Sequence, residues 1–312
     1  MTLCLCVKMN RRTLLKQSAV ASAVFASNTS IFSQANRDYR VDTHLHCFAG
    51  SRDTNFHYHE KAPYRPTKAA TPEHLLRCMD EANVDFAIVV HPEPYQDDHS
   101  YLEHCLEVGG NRLKGTCLFF ADRPGSVEKM AGLVKRAPII AARVHAYAPG
   151  RLPPFGKPEL RKLWKTASDL GIALQIHFEP RYAKGFEPLI KEFKDTKVII
   201  DHLGRPFQGR PEEHETVVQW SRFPNTIIKL SAIPDQNKYP HRDIAPVIKR
   251  LASEYGADRM IYGGGFNAEA TQLSYRRAFD RAESFIMHLP AEDRRKVLGN
   301  NAAKLFGFAG DK

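Results

Sequence analysis

The sequence predicts a single-domain α/β protein, a (β/α)₈ TIM barrel of residues 36–312 preceded by a cleavable export signal over residues 1–35. Three observations predict it. Eight short apolar runs alternate with amphipathic segments, the pattern of a parallel sheet covered by helices. No low-complexity linker or second boundary interrupts the alternation, and 312 residues at 43% hydrophobic suffice for one large core. Chemistry-bearing side chains recur at the C-terminal ends of the runs, where barrels of this type carry their active sites.

In chain order the strand-type runs are Arg40–His46, Val84–His91, Lys114–Ala121, Ile139–Ala146, Ile172–Phe178, Lys197–His202, Thr226–Ala232 and Arg259–Gly264. The helix-type segments between them are Thr71–Ala82, Ser100–Val108, Ser126–Arg136, Glu159–Leu170, Phe186–Lys194, Glu212–Arg222, Ile244–Tyr255 and Ala270–Met287. Thr71-Pro72-Glu73 carries a start signal, an N-cap hydroxyl before a proline at the first helical position. Trp164 and Trp220 fall in helical segments and read as packing residues.

Ahead of the barrel, Arg11-Arg12 is followed by a small-residue stretch from Ser18 to Phe32 and by Ser33-Gln34-Ala35, a small-x-small cleavage site. This order reads as a twin-arginine signal and places the mature chain in the periplasm or outside the cell. The stretch is too polar for a membrane span, and nothing later approaches transmembrane length. Of the net charge of +10, the leader supplies Lys8, Arg11, Arg12 and Lys16, leaving 41 basic against 35 acidic residues. A mildly basic chain without Lys/Arg runs argues against nucleic acid and for a small anionic substrate. Cys47, Cys78, Cys105 and Cys117 lack CxxC spacing, so a zinc finger or dense disulfide framework is not indicated.

The chemistry starts at Val41-Asp42-Thr43-His44-Leu45-His46. On a strand His44 and His46 project to one side, a natural beginning for a metal site. His91 and His202 end the second and sixth runs, and His177 nearly ends the fifth. Converging on one barrel mouth, His44, His46, His177 and His202 form a candidate polar site and metal ligand set, with zinc the default ion for an imidazole-rich site. Arg143 and His145 share a face of the fourth strand, and Lys229 and Ser231 share one on the seventh. Together with Arg205 after the sixth strand they are candidate binders of an anionic substrate, although a salt bridge to a barrel acid is the competing role for Lys229 and Arg143. The long loop from Cys47 to Ala70, with His57, Tyr58 and His59, is long enough for a lid.

These residues resemble the amidohydrolase-related family of TIM-barrel proteins, which holds lactonases together with decarboxylases. The resemblance covers roughly residues 38–308. It rests on Asp42-Thr43-His44-Leu45-His46, Gln175-Ile176-His177, Asp201-His202-Leu203-Gly204, Lys229-Leu230-Ser231 and Gly299-Asn300-Asn301-Ala302-Ala303-Lys304-Leu305-Phe306. It implies a metal-using site in which a strand-eight aspartate completes the ligands and serves as base. Here the corresponding turn reads Gly263-Gly264-Gly265-Phe266-Asn267, and Gly265 stands at the aspartate position. Three readings follow. The first is a lactonase-type hydrolase, metal-independent or weakly metal-binding, using His177 and His202 with a relocated base. Glu179 is the candidate because it shares parity with His177, whereas Asp201 neighbours His202 and is expected to face away. The second is a decarboxylase or lyase with a metal electron sink; the third is a non-catalytic binder on a degenerate barrel.

Overall fold

The computed structural model describes residues 38–147, 150–234 and 242–308. The leader lies outside the described residues, and so does its export signal. Eight parallel strands follow in sequence order around a barrel. They are β1 Val41–Leu45, β2 Phe86–Val90, β3 Leu113–Leu118, β4 Ile139–Ala146, β5 Ala173–Phe178, β6 Val198–Ile200, β7 Thr226–Leu230 and β8 Met260–Tyr262. The outer helices are α1 Pro72–Ala82, α2 Ser100–Gly109, α3 Ser126–Arg136, α4 Pro158–Asp169, α5 Ala183–Glu192, α6 Pro211–Gln219, α7 Ala245–Tyr255 and α8 Gln272–Phe285. Two short helices, α9 Ala291–Arg295 and α10 Asn301–Leu305, end the described chain. Among the described residues no helix is long and apolar enough to cross a membrane.

Local chemistry explains the starts and stops. Thr71 caps α1, its Oγ1 accepting from His74 N at 3.3 Å with Pro72 in the first turn. Asn83 ends that helix in the left-handed region, which an asparagine tolerates. Trp164 of α4 and Trp220 just after α6 are fully buried between strands and helices. The four described cysteines are all free and buried.

The barrel interior has two layers of opposite character. Towards the N-terminal ends, Val41, Ile88, Ala141, Ala173, Ile199, Ile227 and Ile261 pack against Ala302, Ala303 and Phe306, so α10 plugs the base. Fully burying each isoleucine contributes roughly 2–3 kcal/mol. Towards the C-terminal ends the interior is polar, with Thr43, Thr116, Arg143, Gln175, Lys229 and Ser231 all buried. A dry plug below a polar layer directs chemistry to the mouth.

Seven of the eight joints between strands are parallel ladders, and β4 with β5 is the longest, six consecutive residues from Ala141↔Ala173 to Ala146↔Phe178. Between β8 and β1 side chains make the closure. Thr43 Oγ1 donates to Tyr262 O at 2.7 Å, and Gly264 N donates to Asp42 Oδ1 at 2.7 Å.

Candidate active site

An irregularity in β1 aims the first histidine. The register with β2 shifts between Asp42 and Leu45, the mark of a bulge. Asp42 therefore leaves the interior: Oδ2 accepts from Tyr275 Oη of α8 at 2.9 Å, and Oδ1 accepts from His44 N at 2.9 Å as well as from Gly264 N. Burial pushes the Asp42 carboxyl up to about 6 against the pull of those donors. His44 turns inward beside His46, with ring centroids 5.2 Å apart. Gly263 makes room for this, because a Cβ there would lie 2.6 Å from His44 N.

His46 Nδ1 lies 2.6 Å from Val90 O. A carbonyl only accepts, so Nδ1 carries the proton and Nε2 is left bare. The imidazoles continue around the mouth, with centroids 4.4 Å apart for His44–His202, 4.8 Å for His202–His177 and 5.1 Å for His177–His145. Burial lowers the pKa of each: His46 falls to about 4, while His44, His177 and His202 fall well below their ordinary value. His145 is lowered by burial and by Arg143, with Glu93 opposing. Burial thus favours the uncharged form of each ring, which leaves a nitrogen lone pair to offer a metal.

The central carboxylate is Asp201, against the expectation that it faces away. Strand parity fails because β6 ends at Ile200 and His202, Leu203, Gly204 and Arg205 follow with φ of 55°, 58°, 69° and 54°. A left-handed turn of four residues costs on the order of 1 kcal/mol for each non-glycine member. Its fastenings are visible: Ser231 Oγ accepts from His202 N at 3.2 Å, and His214 Nε2 lies 2.7 Å from Leu203 O. The turn lets Asp201, His202 and Arg205 all serve the mouth.

Asp201 is saturated on one oxygen. Its Oδ2 accepts from Arg143 Nε at 3.0 Å, Arg143 Nη2 at 2.9 Å and Gln175 Nε2 at 3.0 Å. Oδ1 lies 3.2 Å from Lys229 Nζ and 3.3 Å from His44 Nδ1, yet makes no well-directed hydrogen bond. Burial alone would raise this carboxyl, but Lys229, His44 and Arg143 hold it well below the ordinary range. Arg143 and Lys229 thus both hold Asp201, the salt-bridge role that the sequence offered for each. Ser231 Oγ lies 2.8 Å from His202 Nδ1.

His44, Asp201 and His202 each present a ligand atom within 4.8 Å of the others. The buried Asp201 Oδ1 without a directed partner is the feature that fits a cation there. Asp201 enters this trio in place of His46 and His177 of the expected set. His177 Nε2 is already engaged, accepting from Arg205 Nε at 2.9 Å and lying in contact with Arg205 Nη2 and Tyr147 Oη. His91 stays apart as a structural residue, stacked on His99 with Nε2 2.9 Å from Gln96 O.

Glu179 pairs with Arg181 in the loop after β5. Glu93 is the acid that sequence reading missed. It follows β2, lies 3.1 Å from His145 Nδ1 through Oε1 and holds Arg151 Nη1 at 2.8 Å through Oε2. His145 and Arg151 outweigh its burial and bring its carboxyl down to about 2. Its only signal was position, a proline-flanked acid just beyond a strand end. Gln175, two residues before His177 on one strand, was legible by parity. His57 is exposed, and neither it nor His59 joins the imidazole row.

Gly265 sits at φ 111°, and a Cβ there would meet Ala278 Cβ at 2.6 Å and the Tyr275 ring at 3.1 Å. It points at α8, not into the mouth. Gly265→Asp is therefore expected to destabilise the fold by roughly 2–5 kcal/mol, from backbone strain plus overpacking. Urea unfolding of the variant would show this, and an unchanged midpoint would refute it.

The amidohydrolase family model matches residues 41–308. Solved structures of similar shape include a protein described as a probable 2-pyrone-4,6-dicarboxylic acid hydrolase of Acinetobacter baumannii with citric acid bound, 21% identical at TM-score 0.69, covering 86% of this chain and 99% of that one. An amidohydrolase of Burkholderia multivorans with bound zinc is 14% identical at TM-score 0.70, with coverage of 86% and 99%. A 2,6-dihydroxybenzoate decarboxylase bound to 2,6-dihydroxybenzoate is 14% identical at TM-score 0.59, with coverage of 87% and 100%. At these identities the likeness is one of fold. No match to a curated protein was found.

Proposed function

The chain belongs to the amidohydrolase family, and on that premise we propose that it is a hydrolase that opens a lactone or similar ring in a small carboxylated compound. One observation carries the anionic substrate. Arg143, Lys229 and Arg151 each have an acid partner at the mouth, whereas the structure records none for Arg205 among the described residues. Its guanidinium rests on the neutral His177 ring, a weak partner that a substrate carboxylate can displace.

The other roles follow from the geometry. Arg143 and Gln175 fix Asp201, Ser231 aims His202, and Lys229 neutralises the carboxylate from within the barrel. His44, Asp201 and His202 would hold a divalent cation, zinc being the default for imidazole donors. Such an ion supplies Lewis-acid polarisation of an acyl oxygen. Export of the mature chain by the twin-arginine route is part of the same proposal. Intact Arg11 and Arg12 with the protein retained in the cytoplasm would overturn that part.

Turnover on a panel of sugar-acid lactones, pyrone carboxylates and hydroxybenzoates tests the reading. Ring opening supports it, release of carbon dioxide would replace it with a decarboxylase, and tight binding without turnover would leave a binding protein. On the hydrolysed substrate, Arg205→Met is expected to raise KM roughly 10- to 100-fold, the worth of a charge-assisted hydrogen bond. An unchanged KM would remove Arg205 from substrate binding.

A further inference from the structure

The family pattern places a base after strand eight, and here that position is a glycine facing α8. The first candidate to replace it, Glu179, is bound to Arg181. Asp201 is held by Arg143 and Lys229, and a carboxylate so strongly stabilised is a poor proton acceptor. The reaction proposed above still needs a group to take the proton from water.

We infer that His145, oriented by Glu93, is that base. Resting on the lactonase reading, this inference deepens it. The His145 side chain is 6% exposed, Nδ1 faces the Glu93 carboxylate, and Nε2 is buried without a hydrogen-bond partner. A buried ring nitrogen without a partner is a group waiting for one. Glu93 Oε1 faces Nδ1 at 3.1 Å, and Arg151 grips both oxygens of that carboxylate, at 3.0 and 2.8 Å. An ionised carboxylate beside Nδ1 selects the Nδ1–H tautomer, leaving the Nε2 lone pair free. The same logic of acid, imidazole and reacting proton recurs across hydrolases.

Location supports the role. His145 is the last ring of the row that begins at His46, and it adjoins His177, on which the spare Arg205 rests. On its other side lies a cavity of about 260 Å³, lined by Glu93, Phe119, Val144, Arg151, Leu163 and His145 itself. A substrate whose carboxylate reaches Arg205, on the neighbouring His177, would lie alongside this ring.

The step balances without a co-reactant other than water. Nε2 takes one water proton as the water oxygen bonds to the acyl carbon. The acyl–oxygen bond of the ring then breaks, and the proton on Nε2 passes to the leaving oxygen. Glu93 touches no reacting atom and acts as a positioning residue.

Two measurements on the purified full chain test the inference. On the ring ester that the wild type opens, His145→Gln is expected to lower kcat by roughly 10²–10⁴-fold with little change in KM, and added imidazole is expected to restore part of the rate of His145→Gly. Glu93→Gln is expected to lower kcat while leaving KM, and Glu93→Asp to recover part of it. Retained kcat in His145→Gln would overturn the inference. The second measurement needs no substrate. Nitrogen-15 spectra of the wild type should show His145 protonated at Nδ1 and bare at Nε2, with that preference lost in Glu93→Gln. A proton on Nε2 would overturn the proposal even in an active enzyme. Absence of all ring opening by the wild type would instead end the lactonase reading, leaving the spectra to decide the tautomer.

Discussion

Asp201→Ala is expected to cost about 3–5 kcal/mol of folding stability, the penalty for stripping the partner from buried charges. The change leaves the Arg143 fork and the Lys229 ammonium without their carboxylate, at 3% and 1% exposure. A domain stable by about 5–15 kcal/mol in total loses a large share of that margin. Urea unfolding at pH 7 reads the effect directly, and a loss under about 1 kcal/mol would show that the cations find other partners. Acid should reproduce part of it. The folded Asp201 pKa is depressed by Lys229, His44 and Arg143 despite burial. Its stabilisation is therefore in place above the ordinary carboxylate pKa of about 4 and is lost as pH falls through the folded value. The wild-type and Asp201→Ala stability curves should converge below pH 4 and differ most near neutrality.

Removal of the cation ligands is the second large effect. Elemental analysis of purified wild type is expected to find a stoichiometric divalent ion, and the His44→Ala/His202→Ala double variant should bind it at least about 100-fold more weakly. Even outer-shell changes cost 10- to 100-fold at such sites, and two direct donors are lost here. Affinity should also fall with acid, since protons compete for imidazole nitrogens. Lys229 is a further rival to the ion, because its ammonium lies 3.2 Å from the carboxylate oxygen an ion would use. A wild-type protein that is metal-free and fully active would remove the ion from the reaction and leave the cationic side chains to bind the substrate.

Much of this was legible in the amino acids. Alternating apolar runs located all eight strands and the eight outer helices, because a buried parallel strand must be apolar on both faces. Parity placed Arg143 with His145 and Lys229 with Ser231 on inward faces. What parity cannot register is a break in the strand. The bulge at Asp42 sends that carboxylate outward although it shares parity with His44, and the left-handed turn at 202–205 brings Asp201 in although it neighbours His202. Both breaks are three-dimensional solutions, fastened by residues distant in sequence such as Tyr275, Ser231 and His214. Glu93 escaped for a different reason: a loop acid acquires meaning only once its imidazole partner on another strand is known.

The joint between the last strand and the first gives the mouth a mechanical asymmetry. His145 and His177 stand on β4 and β5, neighbours bonded along six residues, and inherit the stiffness of that pair. His44 hangs from the opposite joint, where a threonine hydroxyl and a buried carboxylate are the recorded fasteners between β8 and β1. Opening fluctuations concentrate where backbone pairing is thinnest. One half of the mouth is then an anvil of fixed geometry, while the half bearing His44 can breathe by small amounts without unravelling the barrel.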